Sequence, residues 1–171
     1  MRGMSIIQLL GLVHRRFYSS ANSLKMCRIS EISGDLFSAS REYSLAHCVS
    51  ADLRMGKGIA LKFRDKFSQI SKLKQQNPKP GGVVMLKDGS RYIYYLITKQ
   101  KVYQKPTYIT LVASLTAMRN HMAKNGIKKL AIPRIGCGLD GLIWSKVKTE
   151  VEQVFQDDDI EIVVYNFVPK K

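Results

Sequence analysis

The 171-residue chain has only three cysteines, Cys27, Cys48 and Cys137, together with one tryptophan and three histidines. An odd number of cysteines without CxxC spacing excludes a disulfide framework and offers no zinc-ligand pattern, so a reducing compartment fits best. Apolar runs of bilayer-crossing length are also lacking, and no membrane partner is expected. Acids are scarce: 13 Asp and Glu face 28 Lys and Arg, a formal charge of +15. Such an imbalance is the footprint of an acidic partner, a polyphosphate or a nucleic acid. Residues 1–28 carry five of the bases and no acid, which still leaves 23 bases against 13 acids beyond them.

Residues 1–28 read as an address. Arg2, Arg15 and Arg16 surround Ile6, Ile7, Leu9, Leu10 and Val13, with Ser19, Ser20 and Ser23 behind them, which resembles a mitochondrial presequence. The alternatives are a disordered basic tail, or an extension bypassed by initiation at Met26, which would leave the protein in the nucleus or cytoplasm. Residues 29–171, in a chain with 45% hydrophobic content, read as one domain with a sizeable core. Nothing asks for an oligomer, and a monomer is expected.

Short apolar runs at 29–32, 44–49, 83–86, 92–97, 129–132 and 160–167 predict strands. Helical spacing links Ile59, Phe63, Phe67 and Ile70, then Tyr108, Leu111, Leu115, Met118 and Met122, then Val147, Val151, Val154 and Phe155. The run Ile93-Tyr94-Tyr95-Leu96-Ile97 is apolar without alternation, as in a sheet covered on both faces. The expected fold is therefore a three-layer α/β/α sandwich with a mixed, mostly parallel central sheet. His47, inside an apolar strand, reads as a core histidine with its hydrogen bonds satisfied.

In such sheets ligands collect beyond the carboxyl ends of the strands. Pro133-Arg134-Ile135-Gly136-Cys137-Gly138-Leu139-Asp140 follows one strand and precedes a helix, where backbone N–H groups and a helix dipole can hold an anion. Gly56-Lys57-Gly58 before a helix is a second cradle or simply a flexible helix start. It is not a P-loop, because the Lys-Ser/Thr ending is absent. Asp35, after Gly34, either accepts hydrogen bonds from an adenine amino group or caps a local turn. Lys99 ends a strand that should be buried, so a partly desolvated amine there is a candidate nucleophile, although most lysines are plain surface charges. Cys137 reads mainly as a small residue packed in a tight turn.

Taken together, Gly34-Asp35-Leu36-Phe37, Ser44-Leu45-Ala46-His47-Cys48, Arg54-Met55-Gly56-Lys57-Gly58-Ile59-Ala60, the strand ending Thr98-Lys99 and residues 133–140 resemble a macrodomain. The similar branch is that of the terminal ADP-ribose protein glycohydrolases, also described as O-acetyl-ADP-ribose deacetylases. The resemblance implies binding of ADP-ribose and of ADP-ribosylated proteins, with no metal or cofactor. It implies that Asp35 and Leu36 hold the adenine end. Gly56, Gly58, Arg134, Ile135, Gly136, Cys137, Gly138 and Leu139 would hold the diphosphate and distal ribose, with Ser50, Thr98 and Phe167 as further contacts. Lys99 matches the family's nucleophilic lysine and Asp140 its proton-transfer acid. The implied activity is removal of mono-ADP-ribose from Glu or Asp esters and deacylation of O-acyl-ADP-ribose. A reader without turnover and a hydrolase of ADP-ribosylated nucleic acid are the alternatives. Two departures stand out: Lys57 replaces a small residue between the glycines, and Phe167 replaces an aliphatic one.

Overall fold

A computed structural model describes residues 26–167. The leader's arginines, apolar face and serines lie outside the described residues. Six strands, β1 (Arg28–Ser33), β2 (Ser44–Ser50), β3 (Val83–Asp88), β4 (Arg91–Lys99), β5 (Lys129–Pro133) and β6 (Glu161–Asn166), alternate with α1 (Gly58–Phe67), α2 (Ile70–Gln75), α3 (Tyr108–Lys124) and α4 (Trp144–Phe155). The strands form one sheet in the order β1-β6-β5-β2-β4-β3. Every pairing is parallel except the hairpin of β3 with β4. This is the mixed, mostly parallel sheet that the run pattern predicts.

The pleat divides β4 between two cores. Tyr94 and Leu96 face one side with Leu111, Leu115 and Met118 of α3 and Val147, Val151 and Phe155 of α4. Ile93, Tyr95 and Ile97 face the other, with Phe63 of α1 and Leu73 of α2. Side chains that alternate faces and are apolar on both require a covering layer on each, hence three layers. The predicted stripe through Ile59, Phe63, Phe67 and Ile70 is broken into two helices, because Ser68 and Gln69 both adopt left-handed backbone (φ 50° and 56°). Helix α1 closes there with Ser68 N–H on the Arg64 carbonyl, and α2 restarts at an angle that buries Leu73.

His47 is wholly buried on β2, its ring stacked on Phe63 at 3.8 Å between centroids. Neither ring nitrogen finds a hydrogen-bond partner among the described residues, so the expectation of a satisfied histidine is corrected: packing holds this ring, not polar contacts. Burial pushes its pKa from 6.5 down to about 3, so the fold keeps it neutral. The unfolded chain takes up a proton below the ordinary value. Stability from this site is therefore complete above that value and lost as the pH falls toward the folded one. Between pH 7 and pH 5 the loss from His47 alone comes to about 2 kcal/mol. Urea unfolding at those two pH values should show it. A His47→Phe variant should have a flatter dependence, and an unchanged slope would contradict this account.

Candidate active site

All five parallel strands end on the same side, and their following loops enclose a cleft of roughly 1500 Å³. That exceeds the range usual for a small-molecule pocket, about 300–1,000 Å³. The turn after β1 brings Gly34, Asp35 and Leu36 to the cleft. The loop after β2 brings Arg54 to Ile59, β4 brings Lys99, β5 leads into 133–140, and Phe167 follows β6.

Lys99 and Asp140 meet there. The lysine Nζ lies 2.5 Å from Asp140 Oδ1, with the two side chains 12% and 16% exposed. Forty-one positions separate them in sequence. The strand order brings their loops together: β4 and β5 both flank β2, so their carboxyl ends lie on either side of it. The end of β2 adjusts to fit. Its register with β4 shifts between Val49 and Ser50, which sets Ser50 beside Lys99, and Ala51 N–H then bonds the Lys99 carbonyl at 2.9 Å.

The turn after β5 is built around Gly136. Its φ is +71°, a left-handed conformation that favours glycine, and a Cβ there would lie 2.8 Å from Leu142 Cδ1. Leu142 N–H bonds the Gly136 carbonyl at 2.8 Å and closes the turn. The Gly138, Leu139 and Asp140 amides donate to no described residue and remain available to an anion. Lys57 caps α1 without a side-chain hydrogen bond, and no acid occupies the first turn of that helix. The loop before it stores strain, since Leu53 and Met55 are left-handed (φ 50° and 40°) yet buried.

Asp35 caps the short turn Leu36–Ser38 through Phe37 N–H at 3.0 Å, so the turn-capping role is realised, while the residue also lines the cleft. Arg134 reaches the rim with its guanidinium on Glu31 at 3.1 Å, and Lys148 and the Trp144 indole N–H donate to the same carboxylate. Burial alone would raise the Glu31 carboxyl, but donors from Lys148, Trp144 and Arg134 hold it below its usual range. Cys137 sits with Sγ 3.2 Å from the Ile135 carbonyl, and burial pushes its thiol up with only partial relief from Arg134, which fits a packed turn residue and not a thiolate.

Ser50, Gly56, Gly58, Ile135, Gly138 and Leu139 also line the cleft. Thr98 does not. It is buried beneath the start of α3, with its hydroxyl 3.5 Å from the Val49 carbonyl and its own carbonyl accepting from Thr110 Oγ1 at 2.7 Å. Consecutive strand residues point to opposite faces, so Lys99 and Thr98 cannot both open on the cleft in regular strand geometry. Sequence reading missed Asp52, which joins two loops by accepting from Ser50 Oγ and from the amides of Val102 (3.1 Å) and Arg54. Burial would raise its carboxyl, but these donors and the Lys101 charge hold it low. Its place two residues after Ser50 was the only available hint. Among the described residues, no group of three His, Cys, Asp or Glu side chains could hold a metal ion.

A three-layer sheet whose strand ends carry an amine, an acid and two glycine turns around one crevice has the form of an α/β protein that binds a ligand beyond its strand ends. The chain belongs to the macrodomain family, in the branch that includes ADP-ribose glycohydrolase OARD1 and DarG. It is 51% identical to human OARD1 over 138 residues, covering 81% of this chain and 91% of that protein. It is 30% identical over 144 residues to the DNA ADP-ribosyl glycohydrolase of Mycobacterium tuberculosis, covering 78% of this chain and 40% of that protein. The solved macrodomain of M. tuberculosis DarG superposes with a TM-score of 0.73 at 26% identity, covering 83% of this chain and 98% of the other. No protein-family profile matches the chain.

Proposed function

We propose that this protein binds ADP-ribose and hydrolyses its linkage to carboxylate side chains, with Lys99 as nucleophile and Asp140 as proton carrier. The observation that carries this reading is the Lys99–Asp140 contact inside the cleft. The name of the human relative, an ADP-ribose glycohydrolase, supports the substrate class. In this reading the Gly34-Asp35-Leu36 turn takes the adenine end, and the unbonded amides of 138–140 with the first turn of α1 take the diphosphate.

The chemistry follows from the pair. Passage of one ammonium proton along the short contact to Asp140 frees the lysine lone pair. The amine then bonds to the anomeric carbon of the distal ribose as the bond to the carboxylate oxygen breaks, and the carboxylate leaves. Asp140 gives its proton to the ring oxygen as the sugar ring opens, and the nitrogen, now doubly bonded to the anomeric carbon, releases its surplus proton to solvent. Water cleaves the lysyl adduct, giving free ADP-ribose and the original amine. Deacylation of O-acyl-ADP-ribose is assigned to the same cleft. Incubation with auto-modified polymerase, or with O-acetyl-ADP-ribose, should release free ADP-ribose. Retention of the ligand without release would make the protein a reader instead.

A second reading, that the carrier of the ADP-ribose is nucleic acid, is favoured by one feature. Arg54, Lys57 and Lys62 line the cleft without an ion-pair partner among the described residues, and Lys62 Nζ lies 4.7 Å from the Phe167 ring centroid. Cations interleaved with an exposed aromatic suit a single strand. Affinity for an unmodified oligonucleotide should fall steeply as salt rises. No binding at low salt would dismiss the idea.

A further inference from the structure

Residues 100–107, which connect β4 to α3, contribute Val102, Tyr103, Gln104 and Lys105 to the cleft wall. Lys105 reaches across to the turn that bears Asp140 and donates from Nζ to the carbonyl oxygen of Leu139 at 2.6 Å. A little further on, the Tyr108 hydroxyl accepts from Ile143 N–H at 3.2 Å. Lys99 holds the Asp140 carboxylate from the end of the same strand. The acid's turn is therefore gripped at three points, by the connection at the peptide before Asp140, by the end of β4 at its side chain, and by the start of α3 at the backbone beyond it.

Beyond the Leu142–Gly136 closure at its base, little restrains the tip of that turn. The Leu139 side chain is 68% exposed and supplies no buried anchor. A Cβ on Gly138 would meet nothing within 4 Å, and Gly141 has a φ of +79°, where the chain pivots easily. The turn's own hydrogen bond, Gly141 N–H to the Gly138 carbonyl, spans 3.2 Å. The Leu139–Asp140 peptide is planar, so fixing its carbonyl also fixes the plane from which the Asp140 Cα departs. A charge-assisted hydrogen bond is the stronger kind, and here it acts on the one peptide whose orientation aims the acid.

We infer that Lys105 is a positioning residue for Asp140, its ammonium holding the Leu139 carbonyl so that the acid stays in register with the Lys99 amine. This rests on the reading of Lys99 and Asp140 as the reacting pair. Lys105→Met is expected to lower kcat about tenfold, with KM unchanged to within about twofold, because a well-formed but misaimed acid slows chemistry rather than binding. Lys105→Arg, which keeps a cationic donor, should recover most of the rate. In an Asp140→Asn background Lys105→Met should cost nothing further, since its effect runs through the acid.

An unchanged kcat in Lys105→Met, a loss confined to KM, or a full additional loss in the Asp140→Asn background would each overturn the inference. Backbone hydrogen exchange supplies an arm that does not depend on turnover: the hydrogen-bonded amides of 141–143 should exchange faster in Lys105→Met than in the parent, and equal rates would refute the hold on the turn. Absence of hydrolysis by the parent protein would sink the glycohydrolase reading, while the exchange result would still decide whether Lys105 restrains the turn.

Discussion

Lys99→Ala is expected to lose hydrolysis of an ADP-ribosyl-glutamate substrate by a factor of about 10³ or more while still binding ADP-ribose, since a nucleophile contributes to the reacting bond and little to ground-state affinity. Lys99→Arg sharpens the test. A guanidinium keeps the positive charge and the ion pair with Asp140 but cannot give up its proton to become a nucleophile. If Lys99 acted only by charge, the arginine variant would keep its rate; as a nucleophile, it is expected to be as inactive as alanine. Reduction during turnover should also trap the opened sugar on this side chain, where peptide mass spectrometry would find it. A parent-like rate in Lys99→Ala would end the assignment.

The second large effect is structural. Gly136→Val places a branched side chain at a φ of +71° and drives its first carbon to within 2.8 Å of Leu142 Cδ1. Left-handed backbone for a branched residue costs on the order of 1–2 kcal/mol and displacing the flexible end of Leu142 adds less, so a loss of about 2 kcal/mol is expected. Leu142 and the backbone of 136–142 form the turn that presents the free amides, so ADP-ribose binding should fall with stability and further than at a remote site of equal cost. Urea unfolding together with calorimetric titration separates the two. A variant that is destabilised yet binds at full strength would remove this turn from the ligand site.

Much of this arrangement was legible in the linear order of residues. Continuous apolar runs announced the doubly covered sheet, and the rule that ligands gather beyond parallel strand ends collected Gly34, Gly56, Lys99 and Gly136 into one place. Chain order does not reveal which strand ends are neighbours. Strands β4 and β5 both flank β2, and that alone brings residues 99 and 140 together. Thr98 shows the limit of motif reading, because membership in a motif says nothing about which face of the pleat a side chain takes. Lys105 shows another: an exposed lysine among many has no mark until its partner, a carbonyl far along the chain, is known. The break after Phe67 escaped for a similar reason, since Ser68 and Gln69 carry no glycine to advertise a left-handed kink.

The strand order also constrains how the molecule is made. The last strand, β6, is inserted between β5 and β1, and β1 has no other neighbour in the sheet. A chain synthesised only as far as β5 therefore carries its first strand unpaired, and the turn that follows β1 has no neighbouring β6 against which to settle.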